Sequence, residues 1–298
     1  MTEPTVAAPP GTLFCFGLGY SALALTRRLR PLGWRIAGTC RSGDACAALG
    51  AEGIDAWVFR ERTATGGVRS VLAEASHLLV SVPPDEAGDP VIDAFAHEIA
   101  HHERLAWIGY LSTTGVYGDH GGAWVDEETL LTPAGPRGAR RVAAEGLWLN
   151  FWDGHGMPVH IFRLAGIYGP GRSLLDQVRA GTARRIAKPG HMFSRIHVDD
   201  IAATLAASIA RPHGGRAYNL ADDEPAEPRA VVEYACELLG VAPPPVVPWD
   251  EAKQTLSPMA LSFYDDNKRV WNNRIKSELG VRLRYPTYRE GLRALAAL

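Results

Sequence analysis

Short apolar runs alternate with helical patterns along the first half of the chain. Strand-like runs are followed by stretches in which apolar residues recur at helical spacing, and glycines or prolines separate many of them. The predicted strands cover residues 12–16, 34–38, 54–59, 77–82, 105–112 and 159–164, and the predicted helices cover 20–30, 43–50, 89–102 and 138–152. Strands that are apolar throughout are typical of a parallel sheet covered on both faces. The pattern therefore predicts an α/β fold with a doubly wound parallel sheet.

The alternation of strand-like and helical patterns becomes less regular after residue 168. Gly169-Pro170-Gly171 interrupts the pattern, a helix is predicted over 199–210 and a short strand over 217–220, and prolines are frequent in 223–262. We expect a larger domain from residues 11–168, to which 191–222 return. A smaller lobe, named here the C-terminal lobe, is expected from residues 169–190 and 223–298. A cleft between the two is the expected place for chemistry.

Composition narrows the range of partners. The 298 residues include 31 Lys+Arg and 33 Asp+Glu, a formal net charge of −2, which gives no electrostatic case for nucleic acid or an anionic membrane surface. No apolar run reaches the length of a membrane span, and residues 1–10 resemble a short disordered lead rather than a signal peptide. The four cysteines are scattered without metal-type spacing, and Cys15 is expected to be a buried free thiol. This usage favours a reducing cytoplasm.

A glycine motif follows the first predicted strand. Residues 17–22 read Gly17-Leu18-Gly19-Tyr20-Ser21-Ala22, a G-x-G-x-x-A pattern between strand and helix. The first glycine permits a tight turn, the second permits close approach of a pyrophosphate, and the small third residue lets helix and strand pack closely. The phosphates would then meet free N–H groups at a helix N-terminus. The motif predicts a Rossmann-type site for NADP(H) or NAD(H).

The end of the second predicted strand bears on which dinucleotide is bound. A site for NAD usually has Asp or Glu there, whereas this chain has Arg41 followed by Ser42. A guanidinium and a hydroxyl suit the 2′-phosphate of NADP. We therefore expect NADP to be preferred, although Arg41 could also be a solvated loop residue.

Further segments, in the right order, resemble the extended short-chain dehydrogenase/reductase family, which contains nucleotide-sugar epimerases and dehydratases. The resemblance rests on L-S-T-T-G-V-Y-G at 111–118, R-L-A-G-I-Y-G-P-G at 163–171, R-I-H-V-D-D-I-A at 195–202 and Y-N-L at 218–220. It implies an enzyme that transfers hydride to or from the nicotinamide, with a nucleotide sugar or similar polar metabolite as substrate. It also implies that Thr113 binds the reacting oxygen. Further cofactor contacts are implied for Ser81, Val82, Pro83, Ala165 and Ile167.

The family's catalytic pair, Y-x-x-x-K, is missing from its usual place. Alignment of the flanking residues puts Arg137 and Arg141 at these two positions. Arginine cannot act as acid or base because its pKa lies above about 12. Arg141 could still bind the ribose, and the two arginines could clamp a phosphate or carboxylate, or could simply be solvated. A phenol could have moved to Tyr117 or to Tyr168.

Three questions stay open at this point. A non-catalytic NADP(H)-binding sensor or interaction module is the alternative to an enzyme, because Arg137 replaces the tyrosine. His97-Glu98-Ile99-Ala100-His101 has zinc-hydrolase spacing but lies on a crossover helix, so we expect no metal. Tyr264-Asp265-Asp266-Asn267-Lys268 repeats Y-x-x-x-K, and we interpret it as an element of the C-terminal lobe. Helices beside strands four and five could form a homodimer face, as is common in the family.

Overall fold

The fold is an α/β arrangement around one eight-stranded sheet, which confirms the predicted fold class. The computed structural model describes residues 8–257, 260–261 and 263–298. The first seven residues of the predicted disordered lead lie outside these ranges. The strands are β1 Thr12–Phe16, β2 Arg35–Cys40, β3 Asp55–Arg60, β4 Thr63–Ala64, β5 His77–Val80, β6 Trp107–Thr113, β7 Trp124–Val125, β8 Val159–Leu164, β9 Gly166–Tyr168, β10 Arg185–Ala187, β11 Arg195–His197, β12 Arg216–Leu220, β13 Val246–Pro248 and β14 Arg269–Val270.

The strand order in the main sheet is β12-β8-β6-β5-β1-β2-β3-β4, and only the β3–β4 pair is antiparallel. The helices are α1 Tyr20–Leu29, α2 Gly43–Ala51, α3 Val68–Glu74, α4 Pro90–Ala100, α5 Pro136–His155, α6 Leu174–Arg179, α7 Val198–Ala210, α8 Pro228–Leu239, α9 Trp249–Ala252, α10 Asn273–Ser277 and α11 Tyr288–Ala296. Short 3-10 turns occupy Arg30–Leu32 and Thr114–Val116. Buried apolar clusters lie on both faces of the sheet, because successive side chains of a strand point to opposite faces.

Helix α7 begins differently from the sequence-based expectation. The sequence predicted this helix from residue 199, whereas it begins at Val198. In the structure the cap is His197, whose Nδ1 accepts a hydrogen bond from the Asp199 N–H at 3.1 Å. Asp199 lies in the first turn, where a carboxylate is favoured by the helix dipole.

The cysteines are arranged in a way that the sequence did not predict. Cys15 is a buried free thiol, as expected, but Cys40 and Cys46 form a disulfide. The bridge joins the end of β2 to α2 and encloses Arg41 and Ser42. Disulfides are rare in reducing compartments, so this bond does not support the interpretation that was drawn from cysteine usage.

None of the helices in the described ranges combines the length and the apolarity needed to cross a bilayer.

Four buried histidines make the free energy of unfolding depend on pH. Burial lowers the pKa of His77, His160, His191 and His197 to about 4, because imidazolium loses its hydration inside the protein. Between about pH 6.5 and pH 4 the unfolded chain therefore binds more protons than the folded chain. We expect the free energy of unfolding to fall as pH decreases through this window, by up to about 1.4 kcal/mol per pH unit for each histidine.

Denaturant unfolding between pH 4.5 and pH 8 would test this expectation, with His160→Phe as the comparison. The His160 ring is fully buried against Trp107 and Phe162, so phenylalanine fits an aromatic site. The variant should show a shallower loss of stability below pH 6.5. An identical slope in both proteins would contradict the assignment for this residue.

Candidate active site

A cavity of about 910 Å³ opens at the carboxyl ends of the central strands. Its wall combines the start of α1, the end of β6, the start of α5, the segment after β8 and residues of the C-terminal lobe. The residues that the sequence singled out for cofactor binding or catalysis and that line the cavity are Gly19, Tyr20, Ser21, Ser81, Thr113, Arg137, Arg141, Ala165, Ile167 and Tyr168. Crevices at the carboxyl ends of parallel strands are the usual binding sites in open α/β sheets.

The glycine motif forms the turn between β1 and α1. Gly17 has φ +90°, a conformation that L side chains rarely adopt, and a Cβ there would stand 2.7 Å from Ser81 Oγ. A Cβ on Gly19 would instead meet nothing within 4 Å. Gly19 caps α1 without any side-chain hydrogen bond, so the first N–H groups of the helix have no side-chain acceptor there. The motif thus presents a helix N-terminus to the cavity.

Tyr20 links this turn to the other side of the cavity. Its hydroxyl donates to the carbonyl oxygen of Pro170 at 3.1 Å, and the guanidinium of Arg172 lies 5.7 Å from its ring centre. Gly169-Pro170-Gly171, which the sequence marked as a break, is therefore positioned against the glycine motif.

Thr113 ends β6 and faces the same cavity. Its Oγ1 accepts a hydrogen bond from the Gly115 N–H at 3.1 Å, so its own hydrogen remains available to donate. Helix α5 packs closely behind this turn, since a Cβ on Gly138 would stand 2.8 Å from the Gly115 carbonyl oxygen. The close approach places Arg137 and Arg141 beside Thr113 in the wall.

The two arginines differ in how firmly they are held. Arg141 Nη1 donates to the Leu111 carbonyl oxygen at 2.8 Å and to the Tyr110 hydroxyl at 2.9 Å. Arg137 is exposed, and its guanidinium lies 5.8 Å from the ring centre of Phe263. Arg141 is thus fixed to the sheet, whereas Arg137 reaches across to the C-terminal lobe.

The suggestion that a phenol moved to Tyr117 is wrong in this structure. Tyr117 is fully buried, and its hydroxyl donates to Asn219 Oδ1 at 2.8 Å and accepts from Arg163 Nη1 at 2.9 Å. Burial raises the pKa of Tyr117 to about 12. The residue does not line the cavity because it points into the core between β6, β8 and β12.

Tyr168 does contribute to the wall, but its hydroxyl points away from the reacting region. A Cβ added at Gly291 of α11 would overlap that hydroxyl, so the phenol packs directly against the backbone of this helix. Burial also raises the pKa of Tyr168. Neither tyrosine therefore replaces the phenol that Arg137 displaced.

Other expected cofactor residues lie outside the cavity wall. Gly17 and Leu18 form the turn itself, and Val82 and Pro83 follow β5 without being among the lining residues. Arg41 and Ser42 are exposed at the end of β2, and the Ser42 hydroxyl accepts a hydrogen bond from the Ala45 N–H as the cap of α2.

The histidines of the H-E-x-x-H motif are exposed on α4, with ring centres 4.5 Å apart. Within the described ranges, no group of three or more His, Cys, Asp or Glu side chains is arranged to hold a metal ion.

Sequence reasoning missed one part of the wall. Residues of the C-terminal lobe that line the cavity include Phe263, Asp265, Asp266 and Lys268. Three of them, Asp265, Asp266 and Lys268, belong to the Y-x-x-x-K repeat that we interpreted as a lobe element, and Phe263 precedes it. Its tyrosine, Tyr264, lies between the rings of His191 and Trp249 and does not line the cavity. The Y-x-x-x-K spacing could have identified Lys268 as a residue of the cavity, but it would have been misleading for Tyr264.

Comparison with known proteins agrees with this arrangement. A model of the NAD-dependent epimerase/dehydratase family matches residues 96–221, a stretch that includes Thr113, Arg137, Arg141 and β11. The matched stretch is about two fifths of the chain, and over it the chain resembles this family. Among the solved structures, a conserved protein of unknown function from Silicibacter pomeroyi is 52% identical, with a TM-score of 0.87, and the match covers 96% of this chain and 98% of that one.

Two further proteins are similar to nearly the whole chain. Protein YeeZ from Escherichia coli K12 is 29% identical over 285 residues, which cover 91% of this chain and 94% of the relative. A dTDP-glucose 4,6-dehydratase from Bacillus anthracis, solved in complex with NAD, shares the fold at 16% identity, with a TM-score of 0.75 and coverage of 97% and 96%. The fold of this dehydratase is thus shared over nearly the whole chain, while Arg137 stands where the resemblance places the family's tyrosine.

Proposed function

We propose that this protein is an NADP(H)-preferring oxidoreductase or epimerase that acts on a nucleotide sugar or a similar polar, anionic metabolite. The observation that carries the proposal is that the N-terminus of α1, Thr113 and Arg141 lie in the wall of one cavity. The Bacillus anthracis dehydratase of the same fold was solved with NAD. NAD remains the second choice of cofactor.

The residues of the glycine motif fit a dinucleotide. The position of a Gly19 Cβ is open, and a pyrophosphate needs this space to approach the backbone. The N–H groups at the start of α1 would bind the phosphates, and Arg141 would add positive charge beside Thr113. When bound, the nicotinamide supplies a hydride donor or acceptor at C4.

Thr113 would hold the reacting oxygen of the substrate. Since its Oγ1 already accepts from the Gly115 N–H, the hydroxyl can donate its hydrogen to a carbonyl oxygen. Three further arginines are among the residues that line the cavity, namely Arg137, Arg172 and Arg195. Planar guanidinium groups bind phosphate and carboxylate well, which favours an anionic substrate.

The experiment that tests this proposal has two stages. Calorimetric titration with NADPH, NADP and NADH measures cofactor binding, and a panel of sugar nucleotides and polar ketones then measures turnover. We expect NADPH to bind most tightly, and Thr113→Ala to lower kcat by about 100-fold or more, since hydrogen bonds to a developing oxyanion have effects of this size. Failure of all three cofactors to bind would contradict the proposal.

A second function is favoured by one observation. Arg137 replaces the tyrosine, and Tyr117 and Tyr168 hold their phenols in buried places away from the reacting region. A non-catalytic NADP(H)-binding module would have this appearance. NADPH binding without turnover of any substrate in the panel would favour it over the enzyme.

Arg41 is the proposed determinant of cofactor preference. Arg41→Ala should lower affinity for NADPH by about 10-fold to 100-fold, the effect of losing a charge-assisted hydrogen bond, while affinity for NADH stays the same. Calorimetry measures both. Arg60→Ala is a matched control, because Arg60 is also an exposed arginine at the end of a strand. Unchanged preference in Arg41→Ala would remove the case for NADP.

A further inference from the structure

The chain has few side chains that could exchange a proton in this cavity. It contains 27 arginines but only four lysines, at positions 188, 253, 268 and 276. Both positions of the family's tyrosine–lysine pair are arginines, which stay protonated at all relevant pH values. Lysine, in contrast, can give and take a proton when it is buried. Of the four lysines, Lys268 is the one that lines the cavity.

Lys268 is held in a defined position. The residue is 7% exposed, and its Nζ donates to the Gly118 carbonyl oxygen at 2.9 Å and to Asp266 Oδ2 at 3.0 Å. An ammonium group has three protons, so these two bonds leave one for a ligand in the cavity.

Asp266 connects this lysine to the reacting region. The Cβ position of Gly115 lies 3.5 Å from Thr113 Oγ1 and 3.9 Å from Asp266 Oδ2. Thr113 Oγ1 and Asp266 Oδ2 therefore both lie close to Gly115, and Lys268 is hydrogen-bonded to Asp266.

The segment that carries these residues is anchored at several points. Strand β14 pairs in parallel with β7, which follows the turn after Thr113. The Asn267 N–H donates to Asp119 Oδ1 at 3.0 Å, and Asn267 Oδ1 accepts from the Met192 N–H at 2.9 Å. A functional side chain needs such support if it is to meet a substrate in one geometry.

We propose that Lys268, oriented by Asp266, is the catalytic residue that exchanges a proton with the substrate oxygen bound at Thr113. The inference rests on the proposed function and adds to it the missing acid–base group. This group comes from the C-terminal lobe, whereas the position of the family's tyrosine lies on α5.

The proton balance of the reduction is complete. The carbonyl carbon gains a hydride with its electron pair from the dihydronicotinamide, and the C=O π bond is replaced by C–H and O–H bonds. The Lys268 ammonium gives the proton to the oxygen, and the resulting amine regains a proton from water. The reverse direction uses the neutral amine as base.

The surroundings of Lys268 favour this exchange. Burial lowers the pKa of Lys268 because the ammonium loses hydration, and Asp266 and Asp119 oppose the effect. The charged and titratable groups that act on it are Asp266 on its own segment, Asp119 on the loop after β6 and His191 on the loop before β11. Proton transfer is most efficient when the pKa of the group is near the working pH.

The first measurement follows the lysine directly in protein saturated with NADPH. With [ε-13C]lysine the chain gives four side-chain signals, which single Lys→Arg variants assign. We expect the Lys268 signal to titrate at lower pH than an unperturbed lysine side chain, whose pKa is about 10.4. A Lys268 signal that titrates at or above this value would overturn the inference.

The second measurement is turnover of a carbonyl from the panel. Lys268→Arg keeps the charge but cannot exchange a proton, so we expect it to lose about 100-fold or more of kcat, as Lys268→Met does, with KM little changed. Asp266→Asn should move the lysine-dependent limb of the pH profile to lower pH. Lys276→Arg is the matched control and should leave kcat unchanged.

The outcomes separate the two proposals. If NADPH binds and a carbonyl is reduced while Lys268→Arg keeps its kcat and folds normally, only the role of Lys268 is wrong. If NADPH binds and no carbonyl is reduced, the proposed enzymatic function fails and the role of Lys268 fails with it. Thermal unfolding of each variant shows whether a loss reflects misfolding.

Discussion

Glu145→Ala should lower the free energy of unfolding by about 3–5 kcal/mol, the usual cost of leaving a buried charge without its partner. Glu145 on α5 and Arg163 on β8 form a bridge at 2.8 Å, with side chains only 2% and 7% exposed. The Glu145 carboxylate also accepts a hydrogen bond from the Ser112 hydroxyl. Removal of the carboxylate would leave the Arg163 guanidinium in the core with fewer acceptors.

Denaturant unfolding measures this effect, and two comparisons make it specific. Glu74→Ala breaks an exposed bridge to Arg35 and should cost less than about 1 kcal/mol. The double change Glu145→Leu with Arg163→Met removes both buried charges and should restore much of the loss. A Glu145→Ala protein as stable as the wild type would show that the bridge does not fasten α5 to the sheet.

Gly19→Val should lower NADPH affinity by about 100-fold, equivalent to about 2.8 kcal/mol, while the free energy of unfolding falls by only about 1 kcal/mol, the usual effect of an apolar residue at a helix cap. The backbone of Gly19 has φ −97° and ψ −170°, which any residue adopts, and a Cβ there meets no protein atom within 4 Å. The side chain would instead occupy the space that the pyrophosphate needs.

Calorimetry and thermal unfolding together check this prediction. Gly146→Ala is the control, because it also adds a side chain in open space, here on α5. It should leave NADPH affinity unchanged and raise the free energy of unfolding by about 0.5–1 kcal/mol. If Gly19→Val binds NADPH as tightly as the wild type, the phosphates do not lie against α1.

Local patterns of apolar residues were sufficient to predict most strands of the central sheet. The predicted strands at 12–16 and 159–164 match β1 and β8, because runs of apolar residues bounded by glycine or polar residues leave little choice of structure. Helix α8, Pro228–Leu239, was not predicted, since it lies in a stretch that we interpreted as proline-rich. Its proline stands in the first turn, where the missing N–H costs nothing.

The candidate site was predictable where it depends on neighbours along the chain. Gly19, Thr113 and Arg141 each follow or precede a recognisable strand, so the fold alone brings them to one edge of the sheet. Tyr117 was misjudged because the four-residue spacing from Thr113 does not reveal the 3-10 turn that directs it into the core. Lys268 was missed because its place depends on the pairing of β14 with β7, about 145 positions apart.

The pairing of β14 with β7 also determines when the site can form during synthesis of the chain. During synthesis the glycine turn leaves the ribosome first, and Thr113 and α5 follow. Strand β7 must then wait for β14, so the cavity wall stays incomplete until nearly the whole chain has emerged. The glycine turn is therefore complete well before β14 pairs with β7, and Lys268 joins the cavity wall only after that pairing.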